Sequence, residues 1–159
     1  AVGGGLVMLM AVTLIKFRVQ LSPVIKYYPN FANWAMGKKS FEEYIAAFDG
    51  RMPRNYQLAY YLKTHTVLTD KIYIWGTQPD VYVMADRLPV GPFVVAFHVK
   101  DLSAYEKTMD GLRTDPPKYV VMMEDEAGKF DSLQSWVEVN YIKVKQINEA
   151  IIYQRLMEG

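Results

Sequence analysis

The chain has no cysteine among its 159 residues, which excludes disulfides, a thiol nucleophile and thiolate metal sites. Histidine is nearly as scarce: His65 and His98 stand far apart with no second histidine at ligand spacing, so no metal is expected. Charge of one sign is lacking too. The formal net charge is +1, which leaves no electrostatic footprint for nucleic acid, and no nucleic-acid partner is expected. Neither a Gly-x-Ser-x-Gly elbow nor a phosphate loop occurs, and no cofactor is expected.

Charge is missing altogether from residues 1–15, AVGGGLVMLMAVTLI, before Lys16, Phe17 and Arg18. A secretory signal would open on a basic region and close on small residues. A core helix would carry a polar face, yet Thr13 is the only polar side chain before Lys16. The run therefore reads as the end of a transmembrane helix over residues 1–20, short of the about 20 apolar residues a span needs because the sequence starts inside it. Lys16 and Arg18 would then snorkel to the headgroups. Gly3, Gly4 and Gly5 lack the preceding strand that a dinucleotide loop requires.

What is present reads as an α/β domain. Residues 21–33, with two prolines and clustered aromatics, predict an irregular linker whose Tyr27, Tyr28 and Phe31, with Trp34, form either an interfacial belt or a hydrophobic plug. Ser40 and Glu43 make a capping box, and a second helix is expected over residues 54–65. The apolar runs 72–75, 93–99 and 119–123 read as three buried strands separated by helices over 79–85 and, capped by Asp101 or Ser103, around Tyr105, Met109 and Leu112. Continuous apolar strands alternating with helices predict a small Rossmann-like three-strand parallel sheet. A helix over 131–139 and an antiparallel hairpin, 141–147 and 150–155, would close one edge. The expected organisation is a membrane-helix end at 1–20, a linker with a short amphipathic helix at 21–53, and an α/β domain at 54–159.

Residues 60–92, with Tyr61-Leu62-Lys63, Trp75-Gly76, Pro79, Tyr82 and Arg87-Leu88-Pro89, resemble the carboxy-terminal domain of bacterial polytopic glycosyltransferases related to protein O-mannosyltransferases and aminoarabinose transferases. Residues 39–44, 116–121 and 141–153 fit the same pattern. The resemblance implies a parent membrane enzyme that moves a sugar from a polyprenyl-phosphate donor to an acceptor on the extracytoplasmic side. Its implied partners are the remaining transmembrane part of the same polypeptide, the lipid bilayer and a lipid-linked sugar or glycan acceptor. The catalytic acids of such enzymes lie near the amino terminus of the whole protein, so no catalytic residue is carried over and the piece is expected to be inactive alone. Two other readings stand beside it: a membrane-tethered interaction domain, and a Rossmann-like small-ligand binder.

Asp80 and Asp86 read as helix caps or solvated positions, and Glu124, Asp125 and Glu126 as a solvated loop. Open α/β sheets bind ligands at the carboxyl edge of their strands. In this chain that edge would present Trp75, Gly76, Thr77, Gln78 and His98 as the candidate ligand site, the tryptophan stacking on a sugar.

Overall fold

The computed structural model describes residues 2–17, 23–123 and 128–156. The chain divides into two compact units, Ala1–Met52 and Pro53–Gly159.

The first unit holds α1 (Val2–Lys16), α2 (Pro23–Ala35) and α3 (Phe41–Ala46). Apolar side chains surround α1 on all sides, and Leu6, Val7, Met8, Leu9 and Ile15 are exposed. Its 15 residues reach about 22 Å, against a hydrocarbon core of about 30 Å. No helix among the described residues is long and apolar enough to cross a membrane, so no complete transmembrane span is described where the end of one was expected. The irregular linker is corrected, since residues 23–35 are helical despite Pro29 inside the helix. Aromatic packing holds that helix: Trp34 stacks on Tyr44 at 4.9 Å and Tyr27 meets Phe48 at 5.1 Å. The capping box forms as expected, with the Glu43 N–H donating to Ser40 Oγ at 3.1 Å and the Ser40 N–H to Glu43 Oε2 at 2.7 Å.

In the second unit, α4 (Met52–His65) leads to β1 (Ile72–Trp75), then α5 (Pro79–Ala85), α6 (Ala96–Asp101), α7 (Tyr105–Thr114) and β2 (Tyr119–Met123). After α8 (Asp131–Asn140) come β3 (Tyr141–Ile147) and β4 (Ala150–Arg155). The sheet order is β1-β2-β4-β3. β1 and β2 are parallel, Ile72 opposite Tyr119, while β4 runs antiparallel to both its neighbours.

Alternation along the strands splits the core in two. Ile72, Ile74, Val121, Met123 and Ile152 meet Leu58 and Leu62 of α4 and Val81 and Ala85 of α5. Tyr73, Trp75, Val120 and Tyr141 meet Val99 of α6, Met109 and Leu112 of α7, and Leu133 and Val137 of α8. Tyr141 and Ile147 are six residues apart in β3, yet they serve opposite cores. The register shift between Lys143 and Lys145 explains this, because the extra residue turns the strand over.

The Rossmann-like sheet of three parallel strands is corrected to a mixed sheet with one parallel pair among the described residues. Residues 93–99 form no strand; α6 begins at Ala96. The outer edge of β1, where a third strand would pair, is already closed. The Ile72 N–H donates to the Leu88 carbonyl at 3.2 Å, the Ile74 N–H to the Tyr82 hydroxyl at 2.8 Å, and the Ala96 N–H to the Gly76 carbonyl at 2.7 Å. Burial pushes the Tyr82 hydroxyl far above its ordinary range, so it remains a neutral partner at the strand edge.

Arg87 ties the end of α4 to the end of α5. Its buried guanidinium donates to Thr66 Oγ1 and the Thr66 carbonyl, both at 2.6 Å, to the Lys63 carbonyl at 3.1 Å, and to the carbonyls of Ala85 and Asp86. Five bonds satisfy the donors of a charge that would otherwise be costly to bury.

Candidate functional site

The carboxyl ends of β1 and β2 border a cleft of about 280 Å³ that α8 and β4 complete. Trp75, Phe130 and Tyr153 supply aromatic surface, Met122 and Met123 apolar surface, and Lys129, Gln134 and Glu138 the polar groups. The indole N–H of Trp75 donates to the Gly128 carbonyl at 3.0 Å, and its ring meets Phe130 at 4.8 Å, tilted by 57°. Tyr105 packs edge-on against the same Phe130 at 5.0 Å. The Gln134 amide donates to Glu138 Oε1 at 3.1 Å along α8. An aromatic surface with a few polar groups is the usual make-up of a small-molecule site, and this volume lies just under the about 300–1,000 Å³ such sites span.

The five residues expected at this edge part company here. Trp75 lines the cleft, while Gly76, Thr77, Gln78 and His98 do not. Gly76 is buried, and a β-carbon there would collide with Gln78 Oε1 and Met123 Cγ. Its role is to let the Gln78 side chain fold back across the end of β1. Thr77 is half-buried between them. Gln78 is buried, and neither its Nε2 nor its Oε1 has a hydrogen-bond partner. His98 was expected at a strand end; it is exposed on α6, edge-on to Phe97 at 4.3 Å.

Other titratable groups near this edge are engaged in structure. Asp80 accepts from the Asn55 amide at 2.9 Å, and the buried Arg54 reaches Glu149 at 3.1 Å. His65 lies at the other end of the sheet, where Tyr61 meets Tyr119 at the start of β2; it stacks on Tyr61 at 4.0 Å with its Nδ1 2.8 Å from the Tyr61 carbonyl. Among the described residues, no three His, Cys, Asp or Glu side chains come together to hold a metal ion. Glu124, Asp125 and Glu126 lie outside the described residues. Lys129, Phe130 and Tyr153 were not singled out from sequence; Phe130, just ahead of α8, was the nearest available signal.

The motif residues behind the glycosyltransferase resemblance are structural here: Leu62 is core, Trp75 ends β1, Arg87 is the clamp between helices, and Pro89 bridges to Ile72 beside β1. A family model described as "Putative competence-induced protein Ccs4 C-terminal domain" matches residues 54–155. No curated protein and no solved structure matches the chain. The family match takes in well over half of the sequence and overturns the assignment to a glycosyltransferase domain, and with it the polyprenyl-phosphate chemistry that assignment implied. The chain belongs to the Ccs4 C-terminal domain family.

Proposed function

We propose that the second unit is a binding module rather than a catalyst, taking a small, flat, largely apolar ligand in the cleft at Trp75. The observation that carries this reading is the aromatic cleft at the carboxyl end of the parallel pair β1–β2, the edge at which α/β sheets receive ligands. Its described residues include no serine, threonine or histidine, so a hydroxyl nucleophile activated by an imidazole base does not stand among them. Lys129 and Glu138 suit the orientation of a ligand with a polar edge. The family's name ties its members to competence, and the binding module is accordingly proposed to act in cells where competence is induced.

The test is a thermal-shift and ligand-observed NMR screen of the full chain with one- and two-ring heteroaromatic compounds. Compounds that raise Tm and lose their effect in Gln134→Phe, which fills the cleft from an exposed position, support the reading. A screen without such compounds sinks it.

A second reading concerns the first unit and rests on a separate observation. α1 carries a contiguous set of exposed large apolar side chains, with Met8 at 71% and Val7 and Ile15 at 67%, far beyond the scattered exposure of ordinary surfaces. We infer that this helix meets the apolar region of a bilayer, which makes the protein membrane-associated. Without the glycosyltransferase assignment, the extracytoplasmic placement loses its support. Lys16, Arg18 and Lys26 then favour the cytoplasmic face under the positive-inside rule. The full chain should float with phosphatidylcholine vesicles, and Leu9→Lys should abolish this. Oligomers broken by the same substitution, without vesicle binding, would instead assign α1 to contact with a second copy.

A further inference from the structure

A second concavity lies at the opposite end of the sheet, about 760 Å³ in volume, where β4 ends beside the start of β2. Two arginines line it, Arg113 and Arg155, with Trp136, Asn140, Val139 and Leu156, and no carboxylate is among the described residues that line it. One of the two cations is fixed by the fold and the other is loosely held. Arg155 is fixed at the backbone by its N–H to the Lys118 carbonyl at 3.0 Å, and at the side chain by Nη1 to the Pro116 carbonyl at 2.9 Å. Arg113, in the last turn of α7, reaches Asp110 at 3.4 Å with both side chains largely exposed. Such a pair is long, screened by water and easily exchanged for a stronger partner.

Beside the arginines the groove also carries apolar surface that isolated counter-ion binding leaves unused. Trp136 is half-buried with its ring 5.1 Å from Tyr141. Val139 and Leu156 expose 75% and 50% of their surface. Guanidinium groups match the oxygens of phosphate in a fork geometry, and an indole with aliphatic neighbours covers an apolar body.

We propose that this groove binds a phosphate monoester carrying an apolar body, the phosphate between Arg113 and Arg155 and the apolar part against Trp136, Val139 and Leu156. The ligand chemistry is the same whether it comes from a soluble aryl or alkyl phosphate or from a lipid headgroup. The site is separate from the Trp75 cleft and stands or falls independently of it.

The full chain is titrated with phenyl phosphate and, in parallel, with inorganic phosphate, following the indole N–H resonance of Trp136 by NMR. Phosphatidylcholine vesicles with and without phosphatidic acid form the second arm. Phenyl phosphate should bind saturably and more tightly than inorganic phosphate. Arg113→Gln, at an exposed position that folding does not depend on, should weaken it about tenfold by removing a charge-assisted bond. Lys143→Gln, an exposed lysine outside the groove, should leave it unchanged. In the Leu9→Lys background, which removes flotation with phosphatidylcholine alone, phosphatidic-acid-dependent flotation that Arg113→Gln abolishes identifies the lipid as source; phenyl phosphate binding without that dependence identifies a soluble ester. Flotation with phosphatidylcholine alone reports on α1 and is scored separately. No saturable binding of either probe, or equal weakening by Arg113→Gln and Lys143→Gln, overturns the proposal.

Discussion

Trp75 donates its indole N–H to the Gly128 carbonyl at 3.0 Å, and this bond joins the end of β1 to the segment entering α8. It spans 53 positions of sequence, so the floor and one wall of the cleft are placed together by the fold. Trp75→Phe removes the donor and leaves a void where the larger buried indole stood. It should cost about 2–3 kcal/mol of stability, one such bond together with the cavity, read as a shift of the urea midpoint at unchanged m-value. Binding in the cleft should weaken in the same variant.

Gly76 and Gln78 are coupled through space. Gly76→Ala drives a β-carbon into Gln78 Oε1 and Met123 Cγ, and overpacking at a buried site costs about 1–3 kcal/mol. Gln78→Met goes the other way. It replaces a buried carboxamide without partners by an apolar chain of similar length, and should raise stability by about 1 kcal/mol. Thermal or chemical denaturation of the two single variants checks both signs.

Local chemistry made several elements legible from sequence alone. The capping box at Ser40 and Glu43, the helix opened by Pro79, the strand ending at Trp75 and the turn at Asn148 each depend on residues within a few positions of one another. The misreadings share a different cause. Residues 93–99 have strand composition, but Leu88, Tyr82 and Ala96 already occupy the edge that such a strand would need. The prolines of residues 23–35 suggest a linker, yet rings from α3 hold that segment helical. In the cleft, Trp75 was readable from its place at a strand end. Lys129, Phe130 and Tyr153 were not, because they join it only through the packing of α8 and β4 on the sheet.

Arg87 tests whether a planar fork is needed where a single charge is not enough. Arg87→Lys leaves carbonyls of Lys63, Thr66, Ala85 and Asp86 to share one ammonium in place of a guanidinium. Stability should fall by about 2–4 kcal/mol, and hydrogen exchange at the end of α4 should quicken more than in the hairpin β3–β4.

Asp70 gives the unit an acid-sensitive tie. Burial alone would raise its carboxyl, but the Lys118 ammonium at 2.7 Å and the Val67 N–H at 2.8 Å outweigh this and hold it below the usual carboxylate range. A group lowered in the folded state contributes its full stability above its unfolded value near pH 4 and loses it as pH falls through the folded value. The pair is partly exposed, so the contribution is about 0.5 kcal/mol. Asp70→Asn should flatten the acid limb of a stability-against-pH curve below about pH 4 and leave its shape near neutrality unchanged.

The most direct measurement follows Trp75 emission. The chain has three tryptophans, so Trp34→Phe with Trp136→Phe leaves the cleft indole as the sole reporter. Titration with the heteroaromatic compounds that raise Tm should change its emission saturably, and Gln134→Phe should abolish the change without lowering Tm. Stabilisation by those compounds with no response from Trp75, or a response that persists in Gln134→Phe, would contradict a binding function for this cleft.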